Sequence, residues 1–126
     1  MKEFLKLTDI KEDLKNGSLT CVSLVNHFLQ KIEEKKHLNA FVEVYADEAV
    51  AQARIIDQKI QSGTAGKLAG MVIGIKDVLC HAGHGVQAGS RILEGYKSPF
   101  TATAIQRLLD EDAIVIGRQN CDEFAM

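Results

Sequence analysis

Lys76 is the residue best placed to do chemistry in this sequence, because of the company it keeps. It interrupts the apolar run 70–79, GMVIGIKDVL, in which every other position except Asp77 is Gly, Met, Val, Ile or Leu. An amine at the end of a buried strand is costly, since burial disfavours its charged form. Two uses make it tolerable: the side chain snorkels to solvent, or the enclosure creates a neutral amine that accepts protons. The second is demanding. An ordinary lysine, with a pKa of about 10.4, needs a downward shift of roughly three units, or about 4 kcal/mol, to act as a base near pH 7–8. Ile73, Ile75 and Val78 supply apolar surroundings, and Gly74 leaves room for a neighbour to approach. Strand alternation turns Asp77 to the opposite face, away from an ion pair that would keep the amine charged.

Other polar clusters carry less. Cys80, His81 and His84 are close in sequence, but a zinc site takes three or four ligands and only the remote Cys121 is left to complete one. The stretch 81–89, HAGHGVQAG, therefore reads as a flexible loop, and no metal is assigned. The segment 63–68, GTAGKL, lacks the spacing and the Ser or Thr of a phosphate-binding loop, and Gly83, Gly85 and Gly89 miss the dinucleotide fingerprint by one residue. Near the end, Asn120 and Asp122 have two readings. They cap a short helix, or, with Phe124 and Met126, they line a substrate channel at the carboxyl end of a parallel strand.

The elements that must position Lys76 follow from periodicity and punctuation. Thr8 is a plausible N-cap and Gly17 a stop for a short helix with Ile10 and Leu14 inward. A longer helix starts at Thr20, with Val25, Phe28, Leu29 and Ile32 at helical spacing, and ends among Lys31, Lys35, Lys36 and His37, a solvated helix end. Residues 39–45 form a short extended connection. Residues 46–61 are helical again, with Ala49, Ala53, Ile56 and Ile60 on one face and Gly63 beyond. From there the pattern becomes α/β. A buried strand at 70–79 is followed by a turn of helix at 90–93, the only proline (Pro99), a helix opened by a Thr103/Gln106 capping box, and a second buried strand at 113–117. A strand, a crossover of this length and another strand make a parallel β-α-β unit.

The expected organisation is a helical layer over 1–63 and the start of an α/β sheet over 64–126. Two strands apolar on both faces need neighbours, so the chain is expected to be the first part of a larger domain. Its 126 residues, 46% hydrophobic with net charge −2, argue against a nucleic-acid-binding face. No apolar run approaches membrane-spanning length, the first fifteen residues lack a signal-peptide core, and three widely spaced cysteines suit free thiols. The expectation is a cytoplasmic protein.

GMVIGIKDVL resembles the lysine segment of the amidase signature family, AGSRILEGYKSP the segment after it, and AIVIGRQNCDEFAM the strand and turn leading to that family's Gly/Ser-rich region. The resemblance spans nearly the whole chain and implies the family's mixed-sheet α/β fold. It also implies a Ser–cisSer–Lys triad with Lys76 as the lysine and both serines beyond Met126. Ser90 and Ser98 stand in no G-S-S-G context, so the piece alone is expected to be inactive. Within the family, the DEFAM ending is most like the glutaminase subunits of tRNA-dependent amidotransferases. This implies glutamine as substrate, the B and C subunits of the amidotransferase as partners, tRNA bound through the complex, and ATP with Mg used by one of those partners. A stand-alone amidase and a non-catalytic scaffold piece are the competing readings. Three positions depart from the family pattern: Val72 replaces a proline, Val78 stands where Asn is common, and Asp112 stands where Gly ends a helix.

Overall fold

A computed structural model describes residues 6–126; the opening five, read above only as part of a stretch without a signal-peptide core, lie outside them. Three helices come first: α1 (Leu7–Lys15), α2 (Cys21–Glu34) and α3 (Ala46–Ser62), with strand β1 (Phe41–Val44) between the last two. Then follow β2 (Val72–Lys76), α4 (Thr103–Asp110) and β3 (Ile114–Gln119), with single 3-10 turns at Lys36–Leu38, Arg91–Leu93 and Glu123–Ala125.

Helix starts depend on which oxygen reaches the free N–H groups. Thr20 caps α2 as its type predicts, in a reciprocal box with Ser23. Asp57 of α3 completes the cap, accepting from Cys21 N at 2.7 Å and Val22 N at 3.2 Å, and so locks α2 to α3. Thr8 and Thr103 do not cap. α1 starts two residues earlier, after Lys6, and α4 one residue earlier, after Ala102, neither with a side-chain cap. Thr103 is thus the first helical residue, and Gln106 bonds Asp110 one turn on instead of reaching back. Gly63 ends α3 at φ +74°, the left-handed conformation that favours glycine.

The sheet has the order β1-β3-β2, with β2 parallel and β1 antiparallel to β3. The parallel β2-α4-β3 unit is as expected. The strand 41–44 is not an extended connection: it supplies β3 with its second neighbour. β3 is consequently central and buried on both faces. Ile114 and Ile116 join Leu24, Val25, Ala53 and Ile56 in the core under the first three helices, while Val115 packs with Tyr45, Ile75 and Ile105 on the α4 side. β2 is less enclosed than its composition suggests, with only Ile75 buried, because it forms one edge of the three-stranded sheet.

One irregularity matters for everything that follows. Val72 and Ile73 face Ile114 and Val115, but Gly74, Ile75 and Lys76 face Gly117, Arg118 and Gln119, so β3 carries one extra residue at Ile116. Such a bulge reverses the facing of all later side chains. Strict alternation would send Arg118 to the side of Ile114. The bulge sends it to the side of Ile75 and α4.

The turn from α4 into β3 uses the departure at Asp112. Its φ of +66° is left-handed, and its buried carboxylate accepts from Lys59 Nζ at 2.6 Å and Gly66 N at 2.7 Å. Burial alone would favour the neutral acid, but the Lys59 ammonium and the Gly66 N–H outweigh it and hold the Asp112 carboxyl below its ordinary value of 3.8.

Two outcomes follow. Asp112→Gly relieves left-handed strain of about 1 kcal/mol but loses charged hydrogen bonds worth more, so it should destabilise by about 1 kcal/mol at pH 7. A carboxyl depressed in the folded state contributes stability above its unfolded value and loses it as pH falls through the folded one. The gap between Asp112→Gly and the parent in urea unfolding should therefore shrink below pH 3.8. In Gly117→Ala the new Cβ would lie 2.5 Å from Glu43 O across the β1–β3 pair. That overlap should lower stability by about 1–3 kcal/mol in the same assay.

Candidate active site

Lys76 is the last residue of β2, at the carboxyl end of the parallel pair. By register its side chain shares a face with Val72 and Gly74, and Asp77 turns to the other side. The separation of the two side chains is as alternation predicts. The enclosure is not: the Lys76 side chain is 48% exposed, because the edge strand ends there with no described element across it. Its nearest acid is Asp122, 55% exposed, with Oδ1 at 3.9 Å from Nζ. An ion pair this long and this wet contributes at most about 1 kcal/mol. It is an approach, not a clamp.

Asp77 has a different fate. Its side chain is 2% exposed and paired with Arg118 Nη1, whose own side chain is 7% exposed. The carboxylate also accepts from Gln87 N (3.0 Å) and Gly89 N (3.2 Å). Its peptide joins in too, with Asp77 N donating to Gln119 O and Asp77 O accepting from Ala88 N. Arg118 Nη2 reaches Glu43 Oε2 at 3.3 Å, tying in β1. Burial opposes the guanidinium charge, yet the Asp77 carboxylate wins and raises the Arg118 pKa. Arg118 was missed in the sequence because only the bulge reveals its side; nothing in the alternation of AIVIG marks it.

The clasp brings three segments together. Gly89, at φ +65°, lies so close to the next turn that a Cβ would sit 2.7 Å from Cys121 O, which is why glycine is required there. Ser90 Oγ donates to Glu123 Oε1 at 2.7 Å, and Phe124 N donates to Ala88 O at 2.7 Å. A cleft of about 220 Å3 lies among Asp77, Gln87, Gly89, Ser90, Arg91 and Asn120.

The residues read as channel lining divide. Asn120 lines this cleft; it does not cap a helix, since its Nδ2 donates to Asn39 O and its Oδ1 accepts from Cys121 N. Asp122 precedes the 3-10 turn without a side-chain capping bond and stands beside Lys76 instead. Phe124 and Met126 are exposed and lie outside the cleft. Ser98 is buried in a local turn, donating to Phe100 O, and Ser90 is committed to Glu123.

His81 and His84 stack on each other with ring centroids 4.3 Å apart, beside Tyr45. His84 bonds Ala82 O and Glu48 Oε2, both at 2.9 Å. Burial and the neighbouring His84 push the His81 pKa down. Among the described residues no three His, Cys, Asp or Glu side chains converge on a metal position. The 63–68 loop does not suit a nucleotide phosphate either, because Gly66 N and Lys67 N are already bonded to the carboxylates of Asp112 and Glu111. No described helix is long and apolar enough to cross a membrane.

The parallel pair carries a lysine at its carboxyl end with the following aspartate turned inward, and comparison with known proteins bears on the class directly. A family model described as amidase matches residues 23–126, so the chain belongs to the amidase family. It is 44% identical over 125 residues to the A subunit of the glutamyl-tRNA(Gln) amidotransferase of Chlorobaculum tepidum, covering 98% of this chain and 26% of that protein. To the corresponding protein of Brachyspira hyodysenteriae it is 41% identical over 126 residues, covering 97% of this chain and 26% of the relative. The native peptide amidase from Stenotrophomonas maltophilia superposes with a TM-score of 0.88 at 29% identity, covering 95% of this chain and 25% of that one. The α/β reading with a mixed amidase signature sheet is thereby established, and the chain spans about a quarter of the length of the curated relatives it matches.

Proposed function

We propose that these residues are the amino-terminal part of a glutaminase, the A subunit of a glutamyl-tRNA(Gln) amidotransferase, and that Lys76 is its proton acceptor. The observation that carries this reading is the placement of Lys76 at the carboxyl end of β2, beside the 120–124 turn, with Asp77 withdrawn to the opposite face. The similarity to the amidotransferase relatives supports the choice of glutamine over other amides.

In this reading a serine from the Gly/Ser-rich region attacks the glutamine carboxamide carbon. Its proton passes through a second serine, on a cis peptide, to the neutral amine of Lys76. The same proton returns to the departing nitrogen, so that ammonia leaves and a glutamyl ester remains for water to hydrolyse. The freed ammonia travels to the B subunit, which uses ATP and Mg to activate Glu-tRNA(Gln) and forms Gln-tRNA(Gln); the C subunit completes the cytoplasmic heterotrimer. The chemistry asks of Lys76 only that it be unprotonated and aimed. Cover over its exposed side is assigned to the remainder of the domain.

In the full-length glutaminase, Lys76→Ala should reduce glutamine hydrolysis by about 10²–10⁴-fold or more with an unchanged unfolding transition. Near-normal turnover would remove Lys76 from the mechanism. Residues 1–126 expressed alone should release no ammonia from glutamine, and steady release would point to a nucleophile within them, Cys80 or Cys121 being the first to test.

A further inference from the structure

The clasp around Asp77 creates an electrostatic problem for the base proposed above. Asp77 must be an anion to hold the 87–90 loop well, because it accepts two backbone N–H groups and a guanidinium in a site sealed from water. That anion is the residue next to Lys76. Its side chain leaves the other face of β2, so it forms no ion pair with Lys76, but the field of a buried carboxylate on the adjacent residue still favours the ammonium over the amine, against what a proton acceptor requires.

Other charged or titratable groups face the site. Asp122 approaches Lys76 from the 120–124 turn, Glu43 approaches Arg118 from β1, and the Tyr45 hydroxyl is a further titratable neighbour of Arg118. Arg91 shares the cleft with Asp77 and Glu123 bonds Ser90 of the anchored loop, and both are exposed to solvent. Asp122 and Glu43 are roughly half exposed, so water and salt screen them. Asp77 is not screened. The cation buried against it, and so able to cancel its field unscreened, is Arg118, which the bulge at Ile116 delivers to it.

We infer that Arg118 is a positioning residue for the reaction: its guanidinium neutralises Asp77, so the acid that anchors the 87–90 loop does not also hold Lys76 protonated. This rests on Lys76 being the base. The role differs from simple bracing, because it makes charge, not only geometry, the quantity that matters. Loss of Arg118 alone leaves an uncompensated anion and favours ammonium. Loss of Asp77 alone leaves an uncompensated cation and favours amine. Loss of both leaves neither.

The test is the pH dependence of kcat/KM for glutamine in the full-length protein, in complex with its partner subunits. Arg118→Met should move the acid limb up by about one pH unit, with about a tenfold loss of rate below it. Asp77→Asn should move the limb the other way. The double variant should return it near the parent position even where the maximal rate is reduced, and Arg118→Lys should keep it in place. Should Arg118→Met fail to fold, the downward shift in Asp77→Asn and its reversal on adding Arg118→Met still decide the matter. Rate losses with an unmoved limb in every folded variant would overturn the inference and leave the pair as a brace. Full activity in Lys76→Ala would instead defeat the reading of Lys76, so the two failures are distinguishable.

Discussion

The buried pair between Arg118 and Asp77 is the interaction on which this part of the fold turns. Two opposite charges removed from water lose several kcal/mol of hydration each, and their attraction repays this only where the remaining donors and acceptors are also satisfied. Here they largely are. Asp77 receives two backbone N–H groups besides the guanidinium, and Arg118 also reaches Glu43. Through one carboxylate, the end of β2, the 87–90 loop and β3 are joined, and the second arm of the guanidinium adds β1. Breaking such a pair from one side is far more damaging than the net value of the pair suggests, because the survivor stays buried and charged.

The pair exists only because β3 is irregular. An extra residue at Ile116 costs some ladder regularity, yet it lets one strand serve two purposes. Before the bulge, alternation fills both cores, with Ile114 under the helices and Val115 under α4. After it, the strand presents Arg118 on the α4 side, where Asp77 needs a partner, and Gln119 on the side of Gly74. The side chain of Gln119 lies so close to Gly74 that a Cβ there would meet it at 2.7 Å. Gly74 therefore leaves room for this side chain, as expected of a neighbour approaching there.

This explains what could be read from the residues alone. Burial periodicity identified α2, α3 and both parallel strands, since long apolar patterns depend on many residues and survive local surprises. The residues around Lys76 carried the family resemblance and the opposite facing of Asp77, both of which depend on a short regular stretch. Single-residue judgements fared worse. Thr103 and Gln106 have the spacing of a capping box, but a helix beginning one residue earlier makes that spacing meaningless. The strand 41–44 looked like a connection because it is short, and the structure leaves three of its four residues exposed, as suits an edge strand whose contribution is backbone pairing. Arg118 was invisible for a stronger reason: its role depends on a register shift, and no composition or period of its own strand records one.

The exposure of Lys76 sharpens the division of labour within the proposed site. A neutral amine near pH 7 needs about 4 kcal/mol of differential stabilisation, and most of that must come from excluding water. The edge of a three-stranded sheet cannot exclude water from the end of one of its own outer strands. What this chain can do is fix the direction of the side chain and control the charges beside it. Direction follows from the bonds that hold the Asp77 peptide between Gln119 and Ala88. Charge follows from Arg118. A covering element laid over the exposed side then acts on an amine that is already aimed and has no unbalanced buried anion next to it. Desolvation, the largest remaining contribution, is then not opposed from the Asp77 side.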